Sequence, residues 1–482
     1  MKLNRYNASM QPMISCRFSV FLTVFLFFGN LLLSQDTLDL RNTKINGYRG
    51  IWFELNQKYT YGDKYSGGLG TYTAKHIPLA VYSPKADKTF FVYGGTPSED
   101  KRHLLCMIGS FDHKTLTVNK PTVVYDKMDV DDPHDNPVIY MGDDDHIWVF
   151  VSGRGTKRKG IKLRSTEPLS IEKFEIVAEE EFTYPQVWHT DTGFFHFFTK
   201  YTGVRELYFE TSTNGTEWSP TQKLAGIPSG ENNRSGHYQV SSSFKGGEKL
   251  ATFFNRHNNG HPDARTDLYY LQSEDNGKTW TTVQQDTLLL PIHSIDSPAR
   301  VIDYDSQKKN VYLKDIRFNQ NGHPILLYIT SNGHEPGPKN GPYEWRITKW
   351  TGKNWETTVV CSSDHNYDMG SLYLEKDSWK IVGPTEPGPQ KYGTGGEIAV
   401  WISRDEGEHW KKEKQITSSS PWNHSYVRRP IRAKAPFQFF WANGDPQKFG
   451  KSELFFGDFN GTIYKLPYTM KANIEKPIKF HN

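Results

Sequence analysis

Histidine, tyrosine and arginine recur in this chain at the two ends of short hairpin-like segments. His76, His134, Tyr184, His237 with Tyr238, His365 and His424 open such segments, and Arg154, Lys200, Arg256 with His257, and Glu386 end the strands that return. Of seven openings, five carry His and one carries Tyr, although the whole chain has only 17 His. Titratable groups gathered at one concave mouth are the usual mark of a working site. No two carboxylates stand together at these positions: Glu386 is alone and Asp368 lies inside a strand. That argues against hydrolysis of a glycosidic bond by a carboxyl pair. Neither a Ser-His-Asp order nor a nucleophilic Cys is evident. Cations beside His and Tyr suit a different reaction, β-elimination from a uronic acid. Arg or His⁺ neutralises the carboxylate and acidifies the neighbouring C5–H; Tyr or His takes the proton; a second group protonates the oxygen leaving C4. His134 and Arg154 frame one hairpin, Tyr184 and Lys200 the next, and Tyr238 and Arg256 the one after.

The elements that must position these residues repeat. Ser273-Glu-Asp-Asn-Gly-Lys-Thr-Trp280 and Ser403-Arg-Asp-Glu-Gly-Glu-His-Trp410 fit the Asp-box pattern S-x-D-x-G-x-x-W, and Thr211 to Trp218 is a degenerate copy. In such a turn Asp closes the loop on backbone donors, Gly takes a left-handed conformation, and Trp packs beneath. The copies are spaced 62 and 130 residues apart, the second being twice 65. The hairpin openings give a second period. KHIPLAVYSP, HDNPVIYMG, YPQVWHT, HYQVSSSF, ARVIDYD, HNYDMGSLYLE and HSYVRRPIRA follow at intervals of 58, 50, 53, 62, 66 and 59. Both periods predict an all-β, seven-bladed β-propeller whose inner strands line a central channel. A sandwich has no reason for a 60-residue period, and a β-helix repeat is much shorter. Residues 37–72 are expected to begin the sheet and close the ring against the last strand.

Composition agrees. The chain has 482 residues, 14% of them aromatic, with 40 Gly and 27 Pro, a profile of many short strands and turns. Its net charge is only +4 and no long basic run is present, so nucleic acid is not expected as a partner. Lys2, Arg5 and Arg17 precede an apolar run from Phe18 to Leu33, which reads as a signal peptide over residues 1–34 and predicts export to the periplasm or the medium. A single propeller domain over 35–482 would follow, with no membrane attachment after cleavage. Cys106 and Cys361 make no disulfide framework or zinc spacing. No cofactor is required by this chemistry. Asp129, Asp131, Asp132 and Asp135, with Asp143 to Asp145 in the next turn, form an acidic stretch that could hold a structural calcium.

Beyond the Asp-boxes, RTDLYYLQSEDNGKTW (265–280), EPGPKNGPYEWRITKW (335–350), HNYDMGSLYLE (365–375), GPTEPGPQKYGTGGEIAVW (383–401) and NHSYVRRP (423–430) resemble the BNR-4 repeat proteins across essentially the whole mature chain. That group is similar to the seven-bladed ulvan lyases of polysaccharide lyase families 24 and 25, to a flavobacterial ulvan-oligosaccharide dehydratase, and more distantly to glycoside hydrolase family 145. The resemblance implies an acidic, sulfated uronate saccharide as partner and a His, Tyr and Arg set for elimination. The family's first His matches His134, and its second falls on Arg154. Its Tyr matches Tyr184 and its Arg falls on Lys200, while Tyr238 and Arg256 form a second match. Lys for Arg keeps the charge but loses the planar two-donor grip. The expected catalytic set is therefore His134, Tyr184, Tyr238, Arg154 and Arg256, with His76, Lys200, His237, His257, His365 and His424 lining subsites. If C4 carries a sugar the chain is cleaved; if it carries a hydroxyl, water is lost. A glycosidase using a lone His, or a silent carbohydrate-binding propeller, are the rival classes.

Overall fold

A computed structural model describes residues 39–128 and 130–480. The expected signal peptide, and Asp129 of the acidic stretch, lie outside the described residues. Runs such as Ile147–Val151 and Pro324–Ser331 are buried along their whole length. Strands covered on both faces read as continuous apolar runs, and blades stacked around an axis provide that cover.

The described residues form seven antiparallel sheets of four or more strands, which follow one another in chain order. We number them blades 1 to 7. Their inner hairpins are Ala80–Ser83 with Lys88–Gly95, Pro137–Met141 with Ile147–Val151, Thr183–Thr190 with Gly193–Lys200, His237–Phe244 with Lys249–His257, Asn310–Phe318 with Pro324–Ser331, Ser371–Leu374 with Trp379–Glu386, and Asn423–Arg428 with Phe439–Gly444. The fold is the predicted seven-bladed propeller. Core residues sit between blades: Phe195, Phe197 and Phe209 of blade 3 pack with Phe254, Tyr269 and Leu271 of blade 4. No helix among the described residues is long and apolar enough to cross a membrane. Cys106 and Cys361 are free.

Two expectations need correction. The segment at Ala299 does not open a blade. Arg300–Ile302 is the outermost strand of blade 4, and the inner strand of blade 5 is Asn310–Phe318. The apolar alternation of ARVIDYD fits either position, and only pairing with Leu268 and Tyr269 assigns it. The N-terminal segment also does not supply a blade strand. Lys44 bridges to Thr122 and Gly50 to Gly95 and Ser452, so residues 44–50 link blade 1 to blade 7. From the other terminus, Ile474–Glu475 pairs with Thr117–Asn119 of blade 1. The chain then dips into the channel: the Arg428 guanidinium holds the carbonyls of Thr73 and His76.

All three Asp-box turns lie between the third and fourth strands of their blades. In the blade 4 copy, Gly277 N–H donates to Ser273 Oγ (2.8 Å) and Thr279 N–H to Asp275 Oδ1 (2.8 Å). Gly277 has φ +84°, and Trp280 is buried beneath the blade.

Candidate active site

The inner hairpins begin and end at one mouth of the channel, and there a continuous chain of rings assembles. Tyr72 lies 5.0 Å from His134, His134 5.8 Å from Tyr184, Tyr184 5.5 Å from Tyr238, and Tyr238 4.6 Å from His257, centroid to centroid. His134 sits in a single 3-10 turn, Pro133–Asp135, capped by the Asp132 side chain, which accepts the His134 N–H (3.0 Å). The same carboxylate faces His134 Nδ1 at 2.5 Å, and the Tyr72 hydroxyl lies 2.7 Å from Nε2. These bonds assign the proton to Nδ1 and leave Nε2 to accept from Tyr72. Burial holds the His134 imidazole below its ordinary pKa against the pull of Asp132. Asp132 itself stays far below the carboxylate range: burial opposes this, but His134 and Arg154 outweigh it.

Tyr184 is placed by a β-bulge. The register runs from Thr183↔Thr199 to Gln186↔Phe197, so Tyr184 and Pro185 oppose one residue. Pro185 has no N–H to give to the ladder, which makes this the natural point for the irregularity. Tyr184 takes φ +57°, a conformation that bulky residues rarely adopt and that marks strain held for function. The Tyr184 ring is turned into the channel and is nearly fully buried.

Two guanidinium groups and the Lys75 amine, which burial holds well below the ordinary lysine pKa, surround the Tyr238 ring. The Arg265 guanidinium lies 4.5 Å from the ring centroid, Lys75 Nζ 4.7 Å, and the Arg205 guanidinium 5.9 Å. Burial would raise its pKa, but Arg205, Arg265 and Arg154 bring it below the free phenol value. Tyr184, also buried, is shifted the opposite way: burial and the neighbouring Tyr238 raise it well above. Two adjacent phenols with acidities driven apart are a natural base and acid. Arg205 has its Nε and Nη1 buried with no hydrogen-bond partner among the described residues, as are both ring nitrogens of His257. The two Arg205 donors suit an anionic or carbonyl acceptor, while the His257 ring, kept neutral by burial, offers one donor and one acceptor. The accessible edge of the cluster includes His134 and Arg154, whose side chains are 12% and 28% exposed, together with the partly exposed Tyr201 and Arg205.

The structure thus brings together His134, Arg154, Tyr184, Tyr238 and His257, and removes other predicted residues. Strand alternation explains Arg256. Tyr238 pairs with Asn255 and His237 with Arg256, so Arg256 points away, to Asp267 (2.9 Å) and Asp305 (3.0 Å). Lys200 lies against Thr221 (3.1 Å) at the surface, and the positive charge expected there comes from Arg205 in the following loop. His237 is a core group, accepting from Ile227 N–H (2.8 Å) and facing the Asn255 carbonyl (3.0 Å). His424 lies between Trp441 Nε1 (2.8 Å) and Ser420 (2.9 Å). His365 accepts from Tyr367 N–H (3.0 Å), and it is Tyr367 that reaches the channel, 3.2 Å from the Tyr72 hydroxyl. His76 faces the His134 carbonyl at 3.0 Å, so it holds the turn rather than lining a subsite.

Tyr72, Lys75, Arg205 and Arg265 were missed by sequence reasoning. The first two precede the repeat; Arg205 lies just before the third strand of blade 3 and Arg265 opens the third strand of blade 4, both away from the hairpin ends. Their one signal was the pattern of arginines just before a blade's third strand. The acidic stretch is engaged by cations: Arg158 spans Asp132 and Asp135 (2.8 Å each), and Lys127 meets Asp135 (2.8 Å). Among the described residues no group of His, Cys, Asp and Glu has metal-binding geometry.

Comparison with solved structures finds ulvan lyases. A PL25 ulvan lyase superposes with TM-score 0.65 at 15% identity, covering 84% of this chain and 95% of that one. The PL25 ulvan lyase bound to -[GlcA(1-4)Rha3S]- gives 0.66 at 15%, covering 90% and 97%. The polysaccharide lyase Uly1 gives 0.58 at 14%, covering 87% and 98%. At such identities the likeness is one of fold. No curated protein matches the sequence. The model of the BNR repeat-containing family matches residues 117–362, just over half of the chain and the stretch from the outer part of blade 1 through blade 5. With the propeller and its Asp-box turns, that match makes this chain a member of the BNR repeat-containing family.

Proposed function

We propose that this protein is an exported carbon–oxygen lyase that performs β-elimination on a uronate-containing saccharide. The observation that carries the reading is the Tyr184–Tyr238 pair, rings 5.5 Å apart, beside Arg205, whose buried Nε and Nη1 have no hydrogen-bond partner among the described residues. Arg205, with its open donors, takes the uronate carboxylate and stabilises the charge that spreads into it when C5 loses its proton. Tyr238, as phenolate, removes that proton. The electron pair forms the C4=C5 double bond and the C4–O bond breaks. Tyr184, which keeps its proton, gives it to the departing oxygen. His134, fixed by Asp132 and Tyr72 at the exposed edge, contacts the leaving group. The ulvan lyase fold bound to a glucuronate–rhamnose sulfate chain supports an acidic, sulfated substrate.

One observation favours loss of water at a chain end over cleavage within a chain. Tyr184 and Tyr238 are 3% and 6% exposed, and the groups around them that reach solvent are His134, Arg154, Tyr201 and Arg205. A chain end reaches such a site more readily than a chain interior. The test is incubation with glucuronate–rhamnose oligosaccharides, recording near-ultraviolet absorbance and product mass. New absorbance with cleavage identifies a lyase, and new absorbance with loss of one water identifies a dehydratase. Cleavage without absorbance would overturn elimination in favour of a glycosidase, and binding without turnover would make the propeller a silent module.

A further inference from the structure

The inner hairpins turn at the opposite mouth of the channel, and that mouth holds a second basic cavity. Its volume is about 640 Å³, and two further hollows of about 350 and 300 Å³ adjoin it. The first shares Arg317 and Ser243 with it and extends its basic side; the second, reached past Asp143 and His189, is lined by Asp143, Asp144 and Asp191 and lies outside the basic groove. Between this groove and the tyrosine cluster the channel is plugged. The voids around Lys314 and Met369, of about 10 and 20 Å³, are smaller than a sugar ring. The two mouths are therefore separate.

Three arginines of the groove, Arg317, Arg429 and Arg432, are underpaired. Arg429 meets Asp315 at 3.4 Å and donates to the Leu372 carbonyl at 3.1 Å. Arg317 shares the field of that same carboxylate, and its Nε is buried without a partner among the described residues. Burial, with Arg429 next, brings the Arg317 guanidinium down to about 9, the behaviour of a cation short of counter-charge. Arg432, held at φ +57° in the turn after blade 7's inner strand, is exposed and enters no ion pair among the described residues. Of the carboxylates in this wall, Asp143 faces His189 (3.0 Å), Asp145 pairs with Lys85 and Glu375 with Lys380 (2.6 Å), while Glu406 enters no ion pair among the described residues. Beside the arginines, Tyr140 and His189 stack with centroids 5.8 Å apart at 10°, a flat pair half open to the cavity. Guanidinium groups for sulfate or carboxylate, set next to a flat ring surface, are the means by which proteins hold anionic sugars.

We infer that this groove is a second, non-catalytic binding site for an anionic saccharide, with Arg317, Arg429 and Arg432 gripping sulfate or carboxylate groups and the Tyr140–His189 pair facing a sugar ring. It would keep the enzyme on its polymer while the other mouth works. The choice of ligand rests on the functional reading above; the binding does not, because it needs no turnover.

The experiment is calorimetric titration of the full chain carrying Tyr238→Phe, with a glucuronate–rhamnose 3-sulfate tetrasaccharide and separately with sodium sulfate. The expected result is a binding event that Arg432→Ala weakens at least tenfold, that Arg205→Ala leaves in place, and that sulfate competes away. Arg317→Gln should act in the same direction. Should that buried change impair folding, Arg432→Ala, at an exposed position, still decides. Absence of binding, an isotherm indifferent to Arg432→Ala, or one abolished by Arg205→Ala would overturn the site. Elimination activity that fails while this binding persists would sink the catalytic reading alone.

Discussion

At the scale of single residues, the site turns on which of two adjacent phenols gives up its proton. Both phenols face Arg154 and Arg205, and Tyr238 has in addition Arg265 against its ring at 4.5 Å. Tyr238→Phe should therefore reduce kcat by about a thousandfold, within the range for loss of a general base. Because the base works as phenolate, kcat/KM should rise with pH through a pKa below that of free tyrosine. Arg205 stabilises the phenolate, so Arg205→Ala should move that rising limb to higher pH as well as raise KM for uronate substrates; a limb that stays in place would remove Tyr238 from the role of base. The residue types were legible in the sequence here, since His134, Arg154, Tyr184, Tyr238 and His257 all reach the cluster. Their partners were not. Arg256 and Arg265 are nine residues apart on neighbouring strands, and a side chain's direction follows from register. A period of two sends Arg256 to Asp267 and leaves the ring of Tyr238 to Arg265.

At the scale of elements, the turns do more than connect strands. Gly277 of the blade 4 Asp-box sits at φ +84°, and a Cβ there would come within 2.8 Å of Phe209 and 2.9 Å of Phe195 in blade 3. Both the left-handed backbone and the contact between blades exclude a side chain. Gly277→Val should cost about 2 kcal/mol or more, read as a lowered midpoint in denaturant unfolding. An unchanged midpoint would mean that the turn adapts freely. These turns were fully legible, because an Asp-box is a local structure whose bonds join residues within eight positions. The bulge at Tyr184 was half legible: Tyr-Pro announces an irregularity, but not which way the ring turns. The strand at Arg300–Ile302 was misread because an apolar alternation specifies a strand, not its place in a sheet.

At the scale of the whole molecule, several predicted site histidines serve as neutral, buried hydrogen-bond acceptors. Burial holds His237 at about 4 and His424 at about 3, against 6.5 in an unfolded chain. Below pH 6.5 the unfolded state binds protons that the folded state refuses. Stability supplied by these groups is thus complete above pH 6.5 and declines as the pH falls towards 4 and 3. The slope should be about 1.4 kcal/mol per pH unit for each histidine. Denaturant unfolding at pH 5 and pH 7.5 checks this, and His424→Gln should flatten the dependence. A stability independent of pH over that interval would refute it.

The sequence by itself determined the number of blades, the place of the Asp-boxes and the supply of His, Tyr and Arg to the mouth. Each of these depends on period, composition or contacts within one turn, which a linear chain carries in full. Only the tertiary structure decided which of the mouth's residues face one another. Tyr72 and Lys75 come from a segment before the first blade, Arg205 from the loop before a third strand, Arg265 from a third strand, and Arg256, His237 and His424 turn into the blades. Register and ring closure settle those directions, and both are set by pairings between residues far apart in the chain. The same closure opens a second basic groove at the far mouth, where Arg317 of blade 5 meets Arg429 and Arg432 of the turn between the two inner strands of blade 7.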